Sequence, residues 1–236
     1  MPVTVRRIST FASTTFALLL ASFVSIAAAT ADDSIPATRA TKSDAGAIKI
    51  LFLGDSLTEG YGVPKEKAYP TLVIERLNER FIQRKMAKRV AALYGGVSGS
   101  TSASALSRLR WFLKAKPRIL FLAMGANDGL RGLPASEMEK NLDATIELAK
   151  KEGMTVVLAG MKLPPNYGKK DRAEFEAVFA RLAKKHGITF VPFLLSGVGG
   201  EKDLNIDDGI HPNEKGHRKI AELVEPVLEN ILTEGH

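Results

Sequence analysis

Short apolar runs alternate along this chain with segments of helical period, and that alternation restricts the fold more than any other feature. Ile48–Gly54 (IKILFLG), 119–124 (ILFLAM), 155–159 (TVVLA) and 189–193 (TFVPF) have the length and aliphatic content of strands buried on both faces of a parallel sheet; 90–94 is a weaker fifth run. Between them Val73, Leu77 and Phe81 recur at i, i+4 and i+8, and Phe175, Val178, Phe179 and Leu182 at i, i+3, i+4 and i+7. Ile220, Leu223, Val224, Val227, Leu228 and Ile231 share one face of a last helix, which Pro226 is expected to kink. Ser136 with Glu139 reads as a capping box opening the helix before the fourth run. Strict alternation predicts an α/β fold, a parallel sheet with helices on both faces in one three-layer domain. Ligands in such sheets bind beyond the carboxyl ends of the strands, so the chemistry is sought there.

The fold is not expected to begin at Met1. Arg6 and Arg7 precede an apolar stretch from Phe16 to Ile26, which ends in Ala27-Ala28-Ala29-Thr30-Ala31. This is the order of a cleaved secretory signal peptide, favoured over an uncleaved membrane anchor by the small residues at its end. Residues 1–31 are therefore read as signal peptide, 32–46 as a flexible lead-in and 47–236 as the folded domain, with a periplasmic or secreted destination. Removal of the two arginines lowers the formal net charge from +7 to +5. Export and the scatter of basic pairs, without interleaved aromatics, argue against a nucleic-acid partner. They leave room only for weak attraction to an anionic envelope surface. The chain has no cysteine, which excludes disulfides, thiolate metal sites and a cysteine nucleophile.

Four short motifs fall at the expected strand ends. Gly54-Asp55-Ser56-Leu57 places a serine hydroxyl at the edge of the sheet, beside a helix amino terminus that favours developing negative charge. Residues 95–101 (GGVSGST) form a glycine-rich loop able to aim a backbone N–H at a substrate oxygen; G-x-S-x-G is absent, so a lipase-type nucleophile elbow is not supported. Asn127 in Gly125-Ala126-Asn127-Asp128 offers either an oxyanion donor or a turn stabiliser. Asp207-Asp208-Gly209-Ile210-His211 precedes the last helix. A serine hydroxyl needs a base, and His211 is the candidate by position and by elimination. His236 is terminal, His186 lies at a helix end where it would favour the dipole, and His217 lies within the last helix. A metal reading of Asp207, Asp208, His211 and His217 lacks a recognised ligand spacing.

Together these motifs, in this order and over nearly the whole presumed mature chain, resemble the SGNH, or GDSL, hydrolase family. Residues 125–132 (GANDGLRG), 163–168 (LPPNYG) and 207–213 (DDGIHPN) look like its bacterial periplasmic branch of arylesterases, lysophospholipases and acyl-CoA thioesterases. The resemblance implies a flavodoxin-like α/β/α sandwich, Ser56 as nucleophile, His211 as general base and Asp208, in preference to Asp207, as the acid that orients it. It implies an oxyanion hole made by the Ser56 N–H, the Gly99 N–H and the Asn127 side chain. It implies a small-molecule acyl ester or thioester substrate, with no cofactor and no metal.

Short loops without a lid-sized insertion predict an open groove, with Leu130, Leu163 and Tyr167 among the apolar residues available to wall an acyl site. Two other readings stand beside ester or thioester hydrolysis. One is removal of O-acetyl groups from envelope polysaccharide, for which Trp111 is the only tryptophan platform; the other is a non-catalytic binding module on the same scaffold.

Overall fold

The computed structural model describes residues 46–234. The predicted signal segment, and the lead-in apart from Gly46, lie outside the described residues. Five strands, β1 (Ile48–Gly54), β2 (Val90–Gly96), β3 (Ile119–Ala123), β4 (Thr155–Ala159) and β5 (Thr189–Val191), form one parallel sheet in the order β2-β1-β3-β4-β5. This is the flavodoxin-like order, whose reversal of direction at β1 opens a crevice at the carboxyl ends of β1 and β3.

Among the described residues seven α-helices connect and cover the strands: α1 (Ser56–Glu59), α2 (Tyr69–Gln83), α3 (Ala105–Phe112), α4 (Ala126–Leu130), α5 (Ala135–Lys151), α6 (Lys169–His186) and α7 (Glu214–Glu234). Right-handed crossovers put α2 on one face, where α7 packs against it, and α3, α5 and α6 on the other. β3 and all of β1 beyond Lys49 are buried, and the rings of Phe52, Tyr69 and Phe121 meet at centroid separations of 5.7 to 6.1 Å beneath the crevice.

The weak fifth run is a full edge strand. Its middle residues are half-buried, so small Ala91 and Ala92 suffice where β1 and β3 need large aliphatics. It extends through Gly95 and Gly96, read from sequence as loop, which pair with Leu53 and Gly54. A Cβ on Gly96 would lie 2.2 Å from the Glu59 nitrogen, so glycine is what lets α1 come down against this strand. β5 stops at Val191, and Pro192 contributes no ladder N–H.

One local expectation is corrected. Helix α5 starts at Ala135 with Pro134 as its N-cap and no side-chain cap, because Glu139 reaches across to Arg181 at 2.6 Å and does not fold back on Ser136. Helix α7 continues through Pro226 as one element. It is tied to α2 by buried Glu225 and Glu229, which face Arg76, Arg80 and Arg84; Arg80 Nη2 lies 2.5 Å from Glu225, and Arg84 Nη1 lies 2.8 Å from Glu229. Such a network resists shifts in register between the two helices, and α7 follows directly on the loop that carries His211.

Candidate active site

The turn that carries Ser56 is made by β1 running straight into α1. Asp55 caps the helix, its Oδ1 accepting the Leu57 N–H at 3.0 Å, and Ser56 is the first helical residue. Gly60 and Tyr61 both donate their N–H to the Ser56 carbonyl at 3.0 Å, closing the short helix around the serine. Asp55 is almost wholly buried, and burial raises its pKa from 3.8 to about 6 against the lowering effects of the Leu57 N–H and of nearby His211 and Arg108. Further in, Thr58 Oγ1 and Tyr69 Oη are 2.9 Å apart, and burial pushes the Tyr69 phenol above its ordinary range. The Tyr69 N–H donates to His217 Nδ1 at 3.2 Å, and the stacked, buried His217 ring is held neutral by desolvation, with its pKa lowered to about 4.

The partner of Ser56 comes from far along the chain. His211 Nε2 lies 2.9 Å from Ser56 Oγ, and His211 Nδ1 lies 2.6 Å from Asp208 Oδ2. Desolvation alone would raise the Asp208 pKa. Hydrogen bonds from the His211 N–H, the His211 ring and the Ile210 N–H outweigh it and hold Asp208 below the usual carboxylate range. Since Asp208 is then a carboxylate that can only accept, Nδ1 must be the donor, and Nε2 is left to accept the Ser56 hydroxyl proton. The ring is backed by Tyr61, half-exposed, at a centroid distance of 4.7 Å.

Across from this pair runs the loop after β2. The Ser100 N–H closes a turn on the Val97 carbonyl at 3.2 Å, and Gly99 sits in it with φ of +73°. Four side chains grip the loop. Glu59 Oε2 accepts the Ser98 N–H at 2.7 Å and also the Ser98 hydroxyl; Arg131 Nη2 donates to the Gly99 carbonyl at 2.7 Å. Asn127 Nδ2 donates to the Ser100 carbonyl at 3.0 Å, and Asp128 accepts the Ser102 N–H at 2.8 Å and its hydroxyl at 2.5 Å. Beneath it the Arg108 guanidinium donates to the carbonyls of Gly54 and Gly95 and to Ser100 Oγ, lacing the ends of β1 and β2 to the loop.

All five residues assigned from motifs to the triad and oxyanion hole therefore stand on one edge of the sheet. Asp207 is exposed and makes no contact with the His211 ring comparable to that of Asp208. Of the residues read as walling an acyl site, Leu163 is buried with its Cδ2 toward Gly129, and the Tyr167 hydroxyl donates to the Leu130 carbonyl at 3.0 Å. Glu59, Tyr61, Arg108 and Arg131 were not singled out in the sequence, where each looks like an ordinary surface residue. His186 pairs with Asp143 at 2.6 Å at the other edge of the sheet. There Asp143, Glu147 and His186 bring potential ligand atoms within 4.8 Å of one another, but both Asp143 oxygens already receive the Lys185 ammonium.

The family model described as GDSL-like Lipase/Acylhydrolase matches residues 52–219. An arylesterase of Vibrio mimicus is 37% identical over 177 residues, covering 75% of this chain and 86% of that protein. Thioesterase 1/protease 1/lysophospholipase L1 of Escherichia coli is 32% identical over 189 residues, covering 80% of this chain and 86% of that protein. The crystal structure of the psychrotrophic esterase EstA from Pseudoalteromonas sp., inhibited by monoethylphosphonate, superposes with a TM-score of 0.70 at 28% identity, covering 78% of this chain and 98% of that one.

Proposed function

Because the chain belongs to the GDSL-like lipase/acylhydrolase family, and is thereby an ester-hydrolysing enzyme, we propose that it works through an acyl-enzyme on Ser56. The observation that carries this reading is the unbroken hydrogen-bonded line from Ser56 Oγ through His211 to Asp208. As Oγ bonds to the substrate carbonyl carbon, its proton passes to His211 Nε2, and the carboxylate of Asp208 stabilises the imidazolium. The carbonyl electron pair moves onto oxygen, where the Ser56 N–H, the Gly99 N–H and the second Asn127 amide hydrogen would receive it. His211 then protonates the departing alcohol or thiol as the carbon–oxygen or carbon–sulfur bond breaks. A water molecule, deprotonated by the same imidazole, releases the acid and restores Ser56.

The substrate proposed is a carboxylic ester or thioester with an apolar acyl group, as the names of the Vibrio and Escherichia relatives suggest. The cluster of Leu130, Leu163 and Tyr167 would border that group. We place the mature enzyme outside the cytoplasm on the strength of its amino-terminal sequence; among the described residues no helix is long and apolar enough to cross a membrane. Amino-terminal sequencing of the exported form should begin near Thr30 or Asp32, and retention of Met1 in a membrane fraction would contradict export with cleavage.

A fluorophosphonate probe tests the mechanism. It should label one site, mapped to Ser56 by peptide mass, and block hydrolysis of nitrophenyl esters and acyl-CoA thioesters of two to sixteen carbons. Labelling elsewhere, with Ser56 unmodified and activity lost, would refute the assignment. Activity should also survive EDTA, since no step asks a metal to polarise the carbonyl.

A further inference from the structure

The turn that carries Gly99 has little to hold it by packing. Val97, Ser98 and Gly99 are all exposed, so no buried side chain fixes the direction of the Ser98–Gly99 peptide. That peptide is the central one of a four-residue turn, with Gly99 third and at φ +73°, as in a type II turn. Where the turn sits therefore sets where the Gly99 N–H lies relative to Ser56. Among the described residues this N–H has no acceptor, so it does not lock the turn itself.

We propose that Glu59 and Arg131 are positioning residues that hold the turn in its catalytic position from the two ends of this peptide. Glu59 holds the residue before it, through the Ser98 N–H and hydroxyl, and Arg131 holds the residue after it, through the Gly99 carbonyl. The placement is economical. Glu59 is the last residue of α1, which begins with Ser56, and Arg131 directly follows α4, which carries Asn127. Each pin thus ties the Gly99 turn to a helix bearing another donor of the oxyanion hole, so that three donors from three loops move as one unit. The pair also carries opposite charges, which makes its three hydrogen bonds charge-assisted. The inference rests on the reading of Gly99 as an oxyanion donor.

The experiment compares Glu59→Ala, Arg131→Met and Asn127→Ala with the unsubstituted enzyme on a short-chain nitrophenyl ester, with melting temperatures measured on the same preparations. Loss of a whole oxyanion donor lowers kcat by about 10²–10³, and a donor free to turn away loses part of that. Glu59→Ala and Arg131→Met should each lower kcat by about tenfold, with KM within about twofold and an unchanged melting temperature, since both side chains are exposed. Glu59→Gln, which keeps an acceptor oxygen for the Ser98 N–H, should restore most of the rate. Unchanged kcat in both pin variants, with Asn127→Ala strongly impaired, would overturn the pinning while leaving the oxyanion hole in place. Unchanged kcat in all three would refute the oxyanion reading and the pinning with it. A rise in KM alone would assign Glu59 and Arg131 to substrate binding instead.

Discussion

The turn after β1 and the loop before α7 each deliver one partner of the Ser56–His211 pair, and they are built on different principles. Residues 54–58 are buried throughout, wedged against β2 and β3. The segment 207–211 is largely exposed: the His211 and Asp208 side chains keep 21% and 36% of their surface, and their geometry comes from local hydrogen bonds. Asp208 Oδ1 accepts the N–H groups of Ile210 and His211 at 2.9 Å, the Ile206 N–H returns to the His211 carbonyl at 2.8 Å, and Asn213 caps α7 through the N–H groups of Lys215 and Gly216. The serine is placed by the core, whereas His211 is placed by a few polar residues at the surface. Changes of bulk in the first region should therefore appear in folding as well as rate, whereas loss of the serine hydroxyl alone, or damage to the second region, should appear mainly in rate.

The largest expected effect is that of Ser56→Ala, which removes one hydroxyl from the packed turn. Turnover of nitrophenyl esters should fall to background while the melting temperature stays the same; substantial residual activity would break the comparison at its root. Asp208→Ala comes next. It takes the acceptor from His211 Nδ1 and should lower kcat by about 10²–10⁴ with little change in urea midpoint, because the carboxylate is largely exposed.

The third prediction sets the turn after β1 against helix α7 in pH. Asp55 has its pKa raised from 3.8 to about 6, so the folded state binds the extra proton between those values and stability falls as pH rises through them. His217 has its pKa lowered from 6.5 to about 4, so the unfolded state binds the extra proton and stability falls as pH drops through that window. Each amounts to about 3 kcal/mol, with opposite sign, and between pH 4 and 6 they nearly cancel. Asp55→Asn should make the protein markedly more acid-sensitive than the unsubstituted form over this range. His217→Gln should make it less so. Urea midpoints at pH 4, 5 and 6 decide, and parallel pH profiles for all three proteins would refute the opposition. The smallest effect belongs to Asn213→Ala, which leaves two N–H groups of α7 uncapped and should cost about 1 kcal/mol, lowering the melting temperature by about 2–4 °C.

Much of this was legible from sequence because the decisive groups lie in short motifs at strand ends. Ser56, Asn127, Asp208 and His211 needed only the alternation of strands and helices to be put on one edge of the sheet. β2 was faint because an edge strand buries less and tolerates Ala91 and Ala92. The capping box at Ser136 misled because Glu139 is engaged by Arg181, 42 residues away. The same reason hid Glu59, Arg131 and Arg108: their partners lie 39, 32 and 54 residues distant, and no local pattern records a contact made only when the sheet has closed.

The hydrogen bond between Ser56 and His211 spans 155 residues of chain, and the segment that completes it follows the last strand. Residues 54–131 already supply the serine and all three candidate oxyanion donors, but they hold no histidine. On the proposed mechanism a partly made or partly refolded chain is chemically silent until α7 docks on α2 and brings the imidazole across. Contacts of such long range are closed late, because the entropy of the intervening loop must be lost first. Hydrolytic activity is in this sense a clock for the final step of folding, and its return in a refolding experiment should lag behind the burial of the β1–β3 core.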